Sequence, residues 1–293
     1  MCVFQDFSRN CLMCGIIGWF GKGITVDQEE KFDSGLNALQ KRGPDSTSKT
    51  LKQLNSGDLL FGHTRLSILD LTDSGAQPME TQDGKYVIVF NGEIYNFLEL
   101  RTELTKFGYN FISASDTEVL LLSFQHWGPA ALNKFIGMFS FGILDIEEET
   151  LFFARDAFGI KPLYFSNDEE SFYFGSNIAS ILNLMPTKRE VNEHSVYDYL
   201  AWGYTDISED SFIEGVKTLK PGHYIKINLV NFHKRNFDIV QKRWWNPSVV
   251  ERKNSSFTDA VEELRELFLE SVSFHLRSDV PVGAALSGGL DSS

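Results

Sequence analysis

The sequence predicts a layered α+β domain with largely antiparallel sheets. Short apolar runs at "CGIIGWF", "YVIVF", "GMFSFGIL", "TLFFAR", "PLYFS" and "SFYFGS" read as strands. Helical patterns lie between them, yet no regular βαβ alternation appears up to about residue 180. Phenylalanine is unusually common, at 25 of 293 residues, which suits sheet cores packed with rings.

The elements follow in order. "EIYNFLELRTELTKFG" places Ile94, Phe97, Leu98 and Leu104 on one helical face and stops at Gly108, a C-cap residue. "SASDTEVLLLSFQHWG" opens with Ser115-x-x-Glu118, a capping box, and closes at Gly128-Pro129. A connector, "VNEHSVYDYLAWGY", leads to strand-like "HYIKINLV". "NPSVVERKNSS" is polar and turn-rich and reads as a linker. "FTDAVEELRELFLESVSFHLRS" is then a long amphipathic helix, with Val261, Leu264, Leu267, Phe268 and Val272 at helical spacing. Asp259, Glu262 and Glu263 fall near its start, where negative charge suits the helix dipole. "PVGAALSGG" reads as a buried strand running into a loop, and no internal repeat or low-complexity tract is seen.

The bulk numbers bound the function. A chain of 293 residues makes one large domain or two ordinary ones. With 42% hydrophobic and 23% charged residues its composition is that of a soluble globular protein. The formal net charge of −13 argues against nucleic acid or an anionic membrane as main partner. All three cysteines, Cys2, Cys11 and Cys14, fall in the first fourteen residues, so a disulfide framework is not expected and a reducing compartment fits. The first twelve residues lack the basic start and apolar core of a signal peptide, and no apolar run is long enough to span a bilayer. The expected location is cytoplasmic.

Cys14 is the sharpest chemical candidate. At a chain terminus its α-amine, with a pKa of about 7.7–8.0, would sit beside a thiol of about 8.5. One residue would then supply both nucleophile and base. The competing reading is a small buried apolar residue. Met13 favours the first, because a Met-Cys-Gly start loses its methionine readily. Arg65, in "FGHTRLSILDL", has the fork to grip a carboxylate through two parallel hydrogen bonds, or to form an ion pair; neighbouring His63 reads as structural. Asn91-Gly92 is by composition a hairpin turn. The helical pattern after it instead suggests a strand-to-helix junction, where an amide and a backbone N–H could form an oxyanion hole. Asp116 follows the N-cap Ser115, and the helix dipole accounts for it. "LSGGLDSS" follows a strand, and Ser287, Gly288 and Gly289 can turn N–H groups inward as an anion nest, though without the Walker pattern.

These stretches, with "RGPDS", "GHTRLSILDLTDSGAQPM", "FNGEIYNFLELR", "SDTEVLL", "ARDAFGIKPLYF", "LKPGHY" and "SGGLDSS", resemble the glutamine-dependent asparagine synthetase family from residue 13 to 293. The resemblance implies a class II glutamine amidotransferase domain over 13–250, with the αββα sandwich of the N-terminal-nucleophile hydrolases. It implies the truncated start of an ATP-binding synthetase domain over 255–293. By that resemblance Cys14 attacks glutamine, Asn91 and Gly92 form the oxyanion hole, Arg65 holds the α-carboxylate, and Glu93 and Asp116 hold the ammonium. Leu286, Ser287, Gly288, Gly289, Asp291 and Ser292 are the implied ATP positions. ATP and Mg2+ are implied for the full-length parent, and no cofactor for the glutaminase step. No metal ligands are assigned. The implied partners are glutamine and an acceptor carboxylate, aspartate first and a sugar or other small acid second. Relatives often form homodimers. A catalytically silent glutamine-binding module is the reading from another class. Residues 1–12 are expected to be a start-site artefact, translation beginning at Met13; a propeptide cut before Cys14, or a retained leader that blocks the α-amine, are the alternatives.

Overall fold

A computed structural model describes residues 13–186, 189–205, 208–234, 238–249, 256–283 and 288–289. The chain opens with β1 (Gly15–Gly21), α1 (Val26–Asn37), β2 (Ser46–Leu54) and β3 (Gly57–Arg65). β4 (Met79–Glu80) and β5 (Tyr86–Ile94) lead into α2 (Phe97–Lys106) and α3 (Asp116–Trp127). β6 (Gly137–Asp145), β7 (Thr150–Arg155), β8 (Tyr164–Asn167) and β9 (Ser171–Gly175) follow, then α4 (Ile178–Leu184) and α5 (Glu193–Trp202). β10 (Lys217–Thr218), β11 (His223–Asn228) and β12 (Lys242–Arg243) precede the last helix, α6 (Phe257–His275).

Two six-stranded sheets result, ordered β10-β8-β9-β1-β3-β2 and β12-β11-β7-β6-β5-β4. Every ladder within them is antiparallel. The period-2 alternation of each strand sorts its side chains between layers. In β1, Ile16 and Phe20 enter the core between the sheets, whereas Ile17 and Trp19 face the layer holding α1 and α4. In β5, Val87 and Val89 point to the inter-sheet core, whereas Ile88 and Phe90 meet α2 and α3. Three buried clusters therefore stack between four layers, helix, sheet, sheet, helix. This is the expected αββα sandwich. The inter-sheet core is built of rings: Phe153 meets Phe174 edge-on at 4.7 Å, and Phe61 meets Phe174 at 5.7 Å.

The helix boundaries correct several expectations. Ile94 ends β5 instead of opening a helix, and Leu98 is exposed; the buried face of α2 is Phe97, Leu100 and Leu104. α2 and α3 do end ahead of left-handed Gly108 and Gly128. Ser115 caps α3 by accepting from Glu118 N, but the box is not reciprocal. The Glu118 carboxylate instead takes the N–H groups of Ile112 and Ser113, gathering the loop before the helix. The connector reads out as helix α5, with no buried residue. Ser256 and Asp259 form the full capping box of α6, while Glu262 and Glu263 lie beyond its first turn. The strand expected at "PVGAALSGG" is not formed over 281–283; residues 284–287 are outside the described residues. The hairpin β2–β3 and helices α1 and α4 were not anticipated by periodicity. In β2, "STSKTLKQL" is polar on both faces and carries little apolar alternation.

Candidate active site

The site forms where the N-terminal end of β1, in one sheet, meets the C-terminal end of β5, in the other. β1 is a central strand, flanked by β3 and β9, so Cys14 sits at the end of a paired strand and not on a sheet edge. Gly15 pairs with Thr64, which brings Arg65 opposite Cys14. The thiol is fixed by the same neighbour: Leu66 N donates to Cys14 Sγ at 3.3 Å, and Sγ lies 3.5 Å from Leu66 O. Arg42 Nε donates to Cys14 O at 3.1 Å, and Met13 N to Arg42 O at 2.9 Å.

Cys14, Arg65, Asn91, Gly92, Glu93 and Asp116 line one cavity, together with Gln77, Thr117, Lys161 and the loop residues Leu66, Ile68 and Leu69. All six residues singled out in the first 116 positions are thus brought together. His63 stays outside that lining. It is buried with its pKa lowered to about 3, burial being the main cause, and is a neutral core imidazole as expected.

Asn91 and Gly92 are neither a turn nor a junction. They continue β5, opposite Ser140 and Phe139 of β6. The following residues, Glu93 and Ile94, still pair, and the chain turns only afterwards. A Cβ on Gly92 would run into Met138 O and the Phe139 Cα, so the close approach of β6 demands glycine there. Asn91 is fully buried, and among the described residues neither Nδ2 nor Oδ1 has a partner. Such an amide is costly unless a ligand completes it.

Arg65 is held by the loop it precedes. Its Nη1 donates to Thr72 O at 2.8 Å, and Nη2 to Leu69 O at 3.4 Å and to Asp70 O. A guanidinium carries five donors, so capacity is left for a ligand. The cradle is itself tied down: Asp70 Oδ2 accepts from Ala114 N at 2.8 Å, and Asp70 N donates to Asp279 Oδ2 at 2.8 Å.

The carboxylates are both perturbed. Burial raises the pKa of Asp116 to about 7; the N–H of Ile94, 2.9 Å from its Oδ2, opposes this, and Glu93 adds to it. Burial also raises Glu93, and Lys161 opposes that rise. The Cys14 thiol is pushed up, chiefly by burial, against the Leu66 N–H and the positive charges of Lys161 and Arg65. Three polar residues of the lining, Gln77, Thr117 and Lys161, were not anticipated. Gln77 reaches Thr117 Oγ1 at 3.2 Å and accepts from Phe90 N at 2.6 Å, linking α3 to β5. Lys161 belongs to "ARDAFGIKPLYF", a conspicuous motif to which no role had been attached.

The profile of the glutamine amidotransferase domain matches residues 13–245. The chain belongs to the glutamine amidotransferase domain family. A second profile, asparagine synthase, matches residues 263–293 of this amidotransferase chain. Asparagine synthetase (glutamine-hydrolyzing) 1 of Bacillus subtilis is 38% identical over 291 residues, covering 96% of this chain and 43% of its own length. Asparagine synthetase (glutamine-hydrolyzing) 3 of the same organism is 37% identical, over 96% of this chain and 44% of its own length. The amidotransferase chain therefore spans less than half of these relatives. Among solved structures, the B. subtilis glutamine phosphoribosylpyrophosphate amidotransferase complexed with ADP and GMP superposes with a TM-score of 0.55 at 18% identity, covering 79% of this chain and 49% of that one. That likeness is one of fold.

The implied ATP positions Leu286, Ser287, Asp291 and Ser292 lie outside the described residues; Gly288 and Gly289 are described. No helix among the described residues is long and apolar enough to cross a membrane.

Proposed function

We propose that this chain hydrolyses glutamine to glutamate and ammonia through a thioester on Cys14. The observation that carries the reading is the Asn91 amide, buried without a partner among the described residues, beside Cys14 and Gly92 in a cavity that also holds Arg65, Glu93 and Asp116. In this reading the Arg65 fork takes the glutamine α-carboxylate, and Glu93 and Asp116 take its ammonium. Cys14 Sγ attacks the side-chain amide carbon and a C–S bond forms. Asn91 Nδ2 and the Gly92 N–H meet the oxyanion. Collapse breaks the C–N bond, and the amide nitrogen leaves as ammonia with the proton taken from the thiol. Water then adds to the thioester, the C–S bond breaks, and glutamate and the thiol are released.

The proton shuttle in this scheme is the α-amine of Cys14, which residues 1–13 occupy as a peptide bond in the sequence as it stands. The working form therefore begins at Cys14. The released ammonia would serve amidation of an acceptor carboxylate; aspartate is first choice because the similar relatives are named asparagine synthetases. Adenylation of that carboxylate, with loss of pyrophosphate, is the chemistry ATP and Mg2+ would supply. Of the residues that would hold the nucleotide, Gly288 has the left-handed backbone (φ 74) and open side that an anion nest uses.

The deciding experiment is intact mass and N-terminal sequencing of the purified chain, together with glutamate release from glutamine. Cys at the terminus with turnover supports the reading. A retained leader with glutamine binding and no glutamate would replace it with the silent module. In the active form Cys14→Ser is expected to lower glutamate release by about 10³-fold or more at unchanged thermal stability.

A further inference from the structure

Lys161 is buried, with only 6% of its surface exposed, and it lines the cavity of Cys14, Asn91 and Glu93. Its backbone is locked by an arginine–aspartate clamp. Arg155 Nε donates to Lys161 O at 2.8 Å, and Arg155 Nη2 to Gly159 O at 2.7 Å. Asp156 Oδ1 accepts from Ile160 N at 2.9 Å, and Oδ2 from Lys161 N at 3.0 Å and Phe139 N at 3.1 Å. Phe139 is the residue paired with Gly92, so the clamp ties the lysine loop to the strand behind the Asn91-Gly92 pair. All these bonds use main-chain groups, of Phe139 and of residues 159–161, and the fold would keep them with any side chain at position 161. The ammonium itself makes no hydrogen bond or ion pair with a described residue. A buried cation without a close partner costs stability, which packing alone does not explain.

Charges converge on Cys14 from several elements. Lys161 comes from the loop after β7, Arg65 from the end of β3, and Asp116 from the start of α3; Arg42, after α1, senses the thiol from the carbonyl side. Glu93, on β5, faces Lys161. Of the side-chain charges on the thiol, Lys161 acts most strongly, ahead of Asp116, which opposes it, and Arg65. We propose that Lys161 is a positioning residue for the nucleophile: its side chain, carried into the shared cavity on the loop that Arg155 and Asp156 clamp, supplies the positive charge that meets the Cys14 sulfur as negative charge develops on it. The proposal rests on the reading of Cys14 as nucleophile, and it assigns a role to the "ARDAFGIKPLYF" motif that substrate contacts leave unused.

The test is the rate at which iodoacetamide alkylates Cys14 in the full chain as a function of pH, resolved by peptide mass spectrometry from Cys2 and Cys11. This readout needs no turnover. Lys161→Met is expected to react about tenfold more slowly near pH 7 and to converge with the wild type at high pH, as loss of one close positive charge shifts a thiol by about one pH unit. Lys161→Arg is expected to follow the wild-type profile, and it keeps the charge if the methionine variant does not fold. Superimposed profiles for Lys161→Met and wild type, or an arginine variant displaced as far as the methionine one, would overturn the proposal. A shifted profile, in a chain that never releases glutamate even when it begins at Cys14, would retain the lysine's role and refute the glutaminase reading. Glutamate release with superimposed profiles would do the reverse.

Discussion

The sandwich over residues 13–249 and the helix α6 carry the same local signal and meet different fates. In both, apolar residues recur at the period of their element. In the sandwich that signal is consumed: Phe174, Phe153 and Ile16 are fully or almost fully buried because a second sheet lies across from them. In α6, Leu264, Leu267 and Phe268 are all more than half exposed, and none of the helix's residues is buried. What attaches α6 is polar and confined to its C-terminal end. Arg277 forks onto Glu99, the His275 ring lies tilted against Tyr95, and Asp279 bonds the Ile68–Asp70 loop. Amphipathicity marks a face to be covered, and only the tertiary partner decides whether covering contributes stability.

The largest expected effect sharpens this contrast. Phe174→Ala removes a ring that touches Phe61, Phe153 and Phe172 between the two sheets, and is expected to cost about 3–5 kcal/mol. Leu267→Ala trims the same kind of atoms from α6 and is expected to stay within about 0.5 kcal/mol. Urea unfolding of the two variants measures both. Similar losses would mean that the exposed face of α6 is covered in solution.

Legibility in the sequence follows the same division. Strands buried on both faces announced themselves: "TLFFAR" is β7 to the residue. β2 was silent because "STSKTLKQL" is an edge strand, paired among the described residues only to β3, and its two leucines, Leu51 and Leu54, are too few and fall on opposite faces, so they make no alternation. At the site, Cys14, Arg65, Asn91, Gly92, Glu93 and Asp116 were legible as candidates, and the cavity gathers them. Their local settings were not. Asn-Gly carries a turn signature that long pairing with β6 overrides, and "EIYN" begins inside a strand because Glu93 and Ile94 still have partners at Met138 and Gly137. Lys161 escaped notice because a lone lysine carries no spacing signal. Its burial depends on a clamp whose partners, Phe139 and Leu219, lie far away in sequence.

The sandwich also carries a cost that α6 does not, and pH exposes it. Asp116 normally titrates at 3.8, whereas burial holds it at about 7 in the folded chain. The folded state thus binds the proton more tightly. Its contribution to stability is fully present below about pH 3.8 and is lost as pH rises through about 7. Asp116→Asn keeps an oxygen for the Ile94 N–H and removes the charge. The variant is expected to gain on the wild type between pH 4 and pH 8, by on the order of 1–4 kcal/mol. Melting curves across that range test it; a constant difference would mean that Asp116 stays ionised throughout.

A smaller effect is expected at the joint between the two regions. Arg277 Nη1 and Nη2 lie 2.6 Å from the two oxygens of Glu99, and Nη1 lies 2.7 Å from Tyr95 O. The geometry is bidentate, yet half of the Glu99 side chain faces solvent, so water and salt screen the pair. Arg277→Gln is therefore expected to cost no more than about 1 kcal/mol globally, and less at high salt than at low. Its visible consequence is local: amide exchange at the C-terminal turns of α6 should quicken several-fold while the strands that flank Cys14 keep their protection. Were the sandwich amides to quicken in step, α6 would belong to the same cooperative unit as the sheets. Polar contacts at one helix end would then do what buried rings do elsewhere in the molecule.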